Sequence, residues 1–154
     1  MLSYCRGIDR LELDLVRAAY HPGALDHHTG FDGPIEAYVD WVARGLRRLG
    51  GTMHIIANHL VELRGDHAVA ETYGQAVHWP ASPDDAIGSF TTGFRYVDDF
   101  AFRDGRWAIA ERWAVREWAH RNTVAPLPAA DGPIGRRNRT DPLYLALARL
   151  DQAK

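Results

Sequence analysis

Two residues far apart in the chain have side chains that could do acid–base chemistry together. His54 stands near the start of a β-type run, Gly51-Thr52-Met53-His54-Ile55-Ile56-Ala57-Asn58. Alternation along a strand puts His54, Ile56, Asn58 and Leu60 on one face. An imidazole set in such an apolar wall titrates near neutrality and can take or give a proton. Its candidate partner is Asp9, in the first helical segment. A carboxylate there would accept a hydrogen bond from one ring nitrogen, fix the tautomer and support positive charge once the other nitrogen holds a substrate proton. Each residue also has a structural explanation. Asp9-Arg10-Leu11-Glu12 has the spacing of a helix N-cap with an acidic third residue, and His54 could be a satisfied wall histidine. Spacing alone leaves both readings open.

Other side chains could share that site. Tyr4 lies five residues before Asp9, roughly one and a half helical turns. Its phenol could donate to a carbonyl or departing oxygen, or simply face water. His78 ends a strand and either looks into the same interior or sits at the sheet edge. Arg95, Tyr96 and Asp98 in one strand and Arg112 in the next are polar residues within the sheet. An arginine among them could hold an anion or oxyanion, or pair with acids on the outer face. Of the eight histidines, His27-His28, His54, His59, His67 and His78 have no recognised ligand spacing, so no metal is expected. Cys5 is the single cysteine, which rules out an internal disulfide and reads as a free buried thiol. Lys154 is the only lysine, which leaves no candidate for Schiff-base chemistry. Dinucleotide, phosphate-loop, zinc-protease and nucleophile-elbow patterns are absent, so no cofactor is expected.

The elements that must position these groups follow from hydrophobic period and punctuation. Leu2 to Ile8 reads as the end of a helix, and Leu11, Leu13, Leu15, Val16 and Ala19 as a second short one ending near Tyr20. His21-Pro22-Gly23 should break it, and Asp26-His27-His28-Thr29-Gly30 reads as a polar turn. Gly33-Pro34 opens a third helix, with Ile35, Tyr38, Val39, Val42 and Leu46 as its buried stripe. Arg44, Arg47 and Arg48 fall late in it, favourable for its dipole. Beyond Gly51 the period turns strand-like. Thr52–Leu63 and His67–Trp79 form one hairpin about Arg64-Gly65-Asp66. Ser89–Arg103 and Trp107–Trp118 form another about Asp104-Gly105, with an exposed loop from Pro80 to Asp85 between the hairpins. Helices followed by long antiparallel strands make an α+β chain. Residues 1–120 form its domain. Residues 121–154 form an extended arm through Pro126, Pro128, Gly132 and Pro133, and a short helix from Asp141-Pro142 that packs on the domain or on a neighbouring subunit.

At 154 residues the chain is long enough to bury a proper core. A formal net charge of −2 gives no basic excess to hold a phosphate backbone, so nucleic acid is not an expected partner. No apolar run reaches membrane-spanning length and the N-terminus lacks a secretory pattern, so the expected location is the cytoplasm. Trp41, Trp79, Trp107, Trp113 and Trp118 read as core and subunit contacts, and a homodimer or homotrimer is expected.

Several segments together resemble the SnoaL-like branch of the nuclear transport factor 2-like superfamily. They are Tyr4-Cys5-Arg6-Gly7-Ile8-Asp9-Arg10, Tyr20-His21-Pro22-Gly23-Ala24-Leu25-Asp26-His27-His28-Thr29-Gly30, Met53-His54-Ile55, Gly93-Phe94-Arg95-Tyr96-Val97-Asp98 and Asp104-Gly105-Arg106-Trp107-Ala108-Ile109-Ala110-Glu111-Arg112. The resemblance covers roughly residues 1–120. It implies a cone of curved antiparallel sheet wrapped by about three helices, with a ligand cavity in its mouth. It also implies that Asp9 and His54 match the aspartate–histidine dyad of the family's dehydratases and dehydrochlorinases, and that Tyr4 matches a tyrosine preceding that aspartate. By the same resemblance His78 is similar in position to a second histidine of the site. His27 falls near a helix-following tyrosine that it does not match in type. Family members normally carry a longer helix before Tyr4 than the three residues present here.

The expected activity is therefore a cofactor-independent lyase for a small, mostly apolar, possibly cyclic molecule. Asp9, His54 and Tyr4 would carry the chemistry, with His27, His78, Arg95, Tyr96 and Arg112 against the substrate. An isomerase or polyketide cyclase would use the same base without a leaving group. A non-catalytic binding domain or a dioxygenase small subunit would keep the cup alone.

Overall fold

The computed structural model describes residues 1–82, 84–122 and 135–151. The chain divides into two compact units, Met1–Thr123 and Val124–Lys154. In the first, α1 (Leu2–Arg10) buries Tyr4, Cys5, Gly7 and Ile8 on one face, the stripe expected of an amphipathic helix. It ends where Leu11 turns left-handed at φ 58° and the Glu12 N–H reaches the Gly7 carbonyl at 2.9 Å, a Schellman closure. Asp9 therefore lies in the last turn of α1. It is not the expected N-cap of the next helix, since α2 (Leu13–Ala18) follows Glu12, which makes no side-chain cap bond. A Cβ on Gly7 would stand 2.9 Å from Val16 Cγ2, so only glycine lets the two short helices pack this closely.

The stretch expected to be a helix break and a polar turn is a strand. β1 (Tyr20–His28) is followed by β2 (Phe31–Pro34) and α3 (Ile35–Leu46). Pro22 and Gly23 do not end the element. Register shifts between Tyr20 and Leu25, and Gly23 at φ 73° makes the bulge, one of the few places a strand tolerates both residues. β3 (Leu49–Arg64), β4 (His67–Pro80), β5 (Ser89–Arg103) and β6 (Arg106–Asn122) complete a six-stranded sheet of order β2-β1-β6-β5-β4-β3. All pairings are antiparallel except β1 with β6, which is parallel. Asp104 and Gly105, at φ 52° and 76°, supply the tight turn between β5 and β6.

Bulges bend the sheet at Ile56/His59, Gly93/Phe94 and Asp99/Phe100. The first changes the inward face of β3. His54 and Ile56 pair with Ala76 and Gly74, but beyond the bulge His59, not Asn58, faces Thr72, and its Nδ1 meets Thr72 Oγ1 at 2.8 Å. Leu60 is correspondingly 68% exposed. Gly74 has its own role here: a Cβ would stand 2.6 Å from the Phe94 ring, which lies across the opposing strand. The inner face of the bent sheet and the buried faces of α1, α2 and α3 share one core, including Tyr4, Ile8, Val16, Tyr38, Val39 and Tyr96. This is an α+β cone of curved sheet and three helices. No helix among the described residues is long and apolar enough to cross a membrane.

Of the second unit, α4 (Pro142–Asp151) is described. The Asp141 carboxylate accepts from the N–H groups of Leu143 and Arg136 at 3.1 and 2.7 Å, the cap expected of an aspartate before a helix. The expected extended arm through Pro126, Pro128, Gly132 and Pro133 lies outside the described residues.

Candidate active site

The cone holds a cavity of about 900 Å³. Ile8 of α1, Trp41, Val42 and Leu46 of α3, and Ala76, Phe90 and Phe94 of β4 and β5 give it apolar walls. Tyr4, His28, Tyr38, His54, His78 and Tyr96 supply its polar groups, and Arg44, Arg48 and Arg116 are its charged lining. Among the described residues no carboxylate lines it.

Asp9 and His54, 45 residues apart, meet at its wall. Nδ1–H of the imidazole donates to Asp9 Oδ1 at 2.7 Å, and the backbone N–H of His54 donates to Asp9 Oδ2 at 3.0 Å. Both carboxylate oxygens thus hold the same residue. Ring and backbone are gripped together, so the tautomer that leaves Nε2 as acceptor is favoured. The His54 side chain is only 8% exposed, and the Phe94 ring centroid lies 5.8 Å from its own.

Tyr4 also lines the cavity, and its hydroxyl is 2.6 Å from that of Tyr38. Burial pushes the Tyr4 phenol up to about 12, against the opposing pull of Arg112, and it drives Tyr38 and Tyr96 well above the ordinary tyrosine range. These phenols stay protonated and act as donors. Arg112 lies beneath them and not in the cavity. It is fully buried, forms a double hydrogen bond with Asp98 at 2.6 and 2.8 Å, and stacks between Tyr4 and Tyr96 at 4.2 and 4.0 Å from their centroids. Burial opposes its charge, but Asp98 outweighs this and raises its pKa. Arg112 supports the tyrosines and does not reach the substrate space. It also does not pair on the outer face.

His78 does line the cavity, 6.5 Å from His54 between ring centroids and stacked on Phe90 at 4.3 Å. Burial, then the neighbouring His54, lowers its pKa to about 4. Its Nδ1 is buried with no hydrogen-bond partner among the described residues.

His27 and Arg95 belong to the other face of the sheet. His27 pairs with Asp32 and Glu111 at 2.8 and 3.0 Å and stacks on Trp113. Burial pulls its pKa down, yet the two acids outweigh this and leave it raised. Arg95 bridges Glu71 and Glu117 at 2.7 and 3.1 Å, which raises its pKa. Strand alternation explains both placements: the inward neighbours are His28 and Tyr96.

His28 is the residue that spacing missed. Its Nδ1 pairs with Asp26 Oδ1, and the other oxygen of that fully buried carboxylate accepts from the Tyr20 hydroxyl at 2.6 Å. Reading Asp26 to Gly30 as a turn hid the alternation Asp26, His28. No group of three His, Cys, Asp or Glu among the described residues is arranged to hold a metal ion.

The SnoaL-like domain model matches residues 1–113, and the chain belongs to the SnoaL-like domain family. No curated protein matches it. Among solved structures it is similar to a putative scytalone dehydratase from Novosphingobium aromaticivorans DSM 12444. The identity is 18%, with 88% of this chain and 89% of that chain covered and a TM-score of 0.68. It is also similar to the hexachlorocyclohexane dehydrochlorinase LinA-type3 from Novosphingobium barchaimii LL02, at 14% identity, 82% and 88% coverage and TM-score 0.71. A third is the Kfla4162 protein from Kribbella flavida, at 18% identity, 77% and 86% coverage and TM-score 0.69. At these identities the likeness establishes the fold.

Proposed function

We propose that the chain is a cofactor-independent lyase in which His54, oriented by Asp9, removes a proton next to an activating carbonyl of a small, mostly apolar substrate. The observation that carries this reading is the double grip of Asp9 on His54 at the wall of a largely apolar cavity. An imidazole with Nδ1–H fixed on a carboxylate presents Nε2 as base, and the carboxylate then stabilises the imidazolium. A positioned base of this kind typically contributes about a hundred- to ten-thousandfold. Tyr4 donates to the enolate or to the departing group, which leaves as water or halide. Tyr96 and neutral His78 shape the pocket. Arg44, Arg48 and Arg116 attract a carbonyl- or carboxylate-bearing end of the ligand. The outer sheet face, where Met53, Ile55, Val69 and Trp113 are exposed, is the surface through which two or three copies associate.

Proton abstraction is tested with 2-tetralone, a bicyclic ketone of a size suited to the cavity, by deuterium exchange in heavy water read by mass spectrometry. The protein should accelerate exchange next to the carbonyl, and His54→Ala and Asp9→Asn should abolish the acceleration. Exchange that persists in His54→Ala would remove the proposed base.

A further inference from the structure

The cavity wall carries a second imidazole held by a second carboxylate, His28 on Asp26. Asp26 takes His28 Nδ1–H on one oxygen and the Tyr20 hydroxyl on the other. His28 Nε2 lies 3.4 Å from the Tyr38 hydroxyl, and Tyr38 lies 2.6 Å from the Tyr4 hydroxyl. Asp26, His28, Tyr38 and Tyr4 therefore form one continuous chain from a buried anion to the phenol that faces the substrate space. We propose that the Asp26–His28 pair is the proton supply of the site, feeding Tyr4 through Tyr38, and that the substrate consequently loses a hydroxyl group as water and not a halide.

This inference rests on His54 being the base. A β-elimination that expels hydroxide from a largely apolar cavity needs a proton delivered to the departing oxygen, whereas chloride leaves as a stable anion. The first imidazole cannot do both jobs at once, since it is taking up a proton. In the proposed step the C–H bond breaks toward His54 Nε2 and the new C=C bond forms. The C–O bond breaks with its electron pair staying on oxygen, which takes the Tyr4 proton. Tyr4 takes the Tyr38 proton and Tyr38 takes the Nε2 proton of protonated His28, so the products are the unsaturated ketone and water. His28 ends neutral and His54 protonated, and exchange with solvent resets both.

The surroundings suit this direction of transfer. Asp26 is fully buried, and among the described residues its hydrogen-bond partners are two donors, Tyr20 and His28. The ionisable groups facing His28 are Asp26 on its own strand, Tyr38 of α3 and Tyr96 of β5. On β6, Arg112 stands opposite Asp26 in the register. The ring of His28 stacks on Tyr38 with centroids 4.8 Å apart, which keeps its orientation.

The test compares 4-hydroxy-2-tetralone with 4-chloro-2-tetralone, which both yield 2-naphthol, one by loss of water and the other by loss of chloride. Rates are taken over the uncatalysed background for the wild-type chain, His28→Gln and Tyr38→Phe. Expected is a loss of water slowed at least about a hundredfold more than the loss of chloride in both variants. A structural role alone would slow both substrates alike. Equal slowing, no slowing, or a wild-type chain that expels chloride but not water would overturn the proposal. A wild-type chain that fails even to exchange the protons of 2-tetralone would instead overturn the base, and that failure is read separately.

Discussion

Asp98 and Arg112 face each other across β5 and β6 with neither side chain exposed, joined by two hydrogen bonds of 2.6 and 2.8 Å. This pair lies under the tyrosine layer and sets its height, because the guanidinium is clamped between the rings of Tyr4 and Tyr96. Removing one partner leaves a charge buried without compensation. Asp98→Ala should therefore cost about 3–5 kcal/mol, as is usual when a buried pair is broken. The double replacement Asp98→Leu with Arg112→Met should recover much of that. Urea denaturation of the three variants measures it; an Asp98→Ala chain as stable as wild type would show that the pair does not hold the layer.

Asp9→Asn separates orientation from folding. The amide keeps the shape and can still accept the His54 backbone N–H, so the loss of stability should stay near 1 kcal/mol. It cannot favour the same tautomer with a stabilising charge. Turnover of any accepted substrate should therefore fall about a hundred- to ten-thousandfold, with little change in KM. A large rise in KM with intact kcat would instead assign Asp9 to binding.

Much of this architecture is legible in the sequence where one physical signal dominates. The two long hairpins follow from alternation and the turns at Gly65 and Asp104-Gly105, and β5 runs over Ser89–Arg103 as the pattern predicts. The first quarter is harder. Pro22 and Gly23 carry the strongest local breaker signal in the chain, yet the parallel pairing of β1 with β6 absorbs them in a bulge. A turn in place of that strand hides the alternation of Asp26 and His28, and His27 stands as a candidate only through the family resemblance. The Ile56/His59 bulge has no mark in the sequence, so the inward face of β3 past Ile56 could not be read either. Asp9 looked like a cap because Glu12 follows at the right spacing. Only the left-handed Leu11 shows that α1 runs on through it. Arg95 and Arg112 differ only in which face their strand turns to them, and the sheet's register decides it.

His78 ties stability to acid. Burial, and next the adjacent His54, bring its pKa from 6.5 to about 4. Between these values the unfolded chain binds a proton at His78 that the folded chain refuses. Stability from this group is thus complete above about pH 6.5, falls as pH drops toward 4, and changes no further below. The full difference corresponds to about 3 kcal/mol, which screening at this half-buried ring reduces to on the order of 2 kcal/mol. His78→Phe should keep the stacking on Phe90 and lose this dependence, so its stability relative to wild type should rise on going from pH 7 to 4. Parallel denaturation curves over that range would mean that His78 takes up its proton inside the fold.

The tyrosines predict the opposite limb. Burial raises Tyr4 from 10 to about 12 and also drives Tyr20, Tyr38 and Tyr96 well above the ordinary tyrosine range. Their neutral forms favour the folded chain, so the stability they support is complete below about pH 10 and is lost as pH climbs through the folded-state values. In an ultraviolet titration these four should ionise late and together with unfolding. Tyr4→Phe should lose about 1 kcal/mol at neutral pH, since Tyr38 keeps its contact with His28. It should also shift the alkaline unfolding midpoint upward relative to its neutral stability. A phenol ionising near pH 10 in the folded chain at position 4 would mean that Tyr4 meets bulk water and cannot serve as the donor over the cavity.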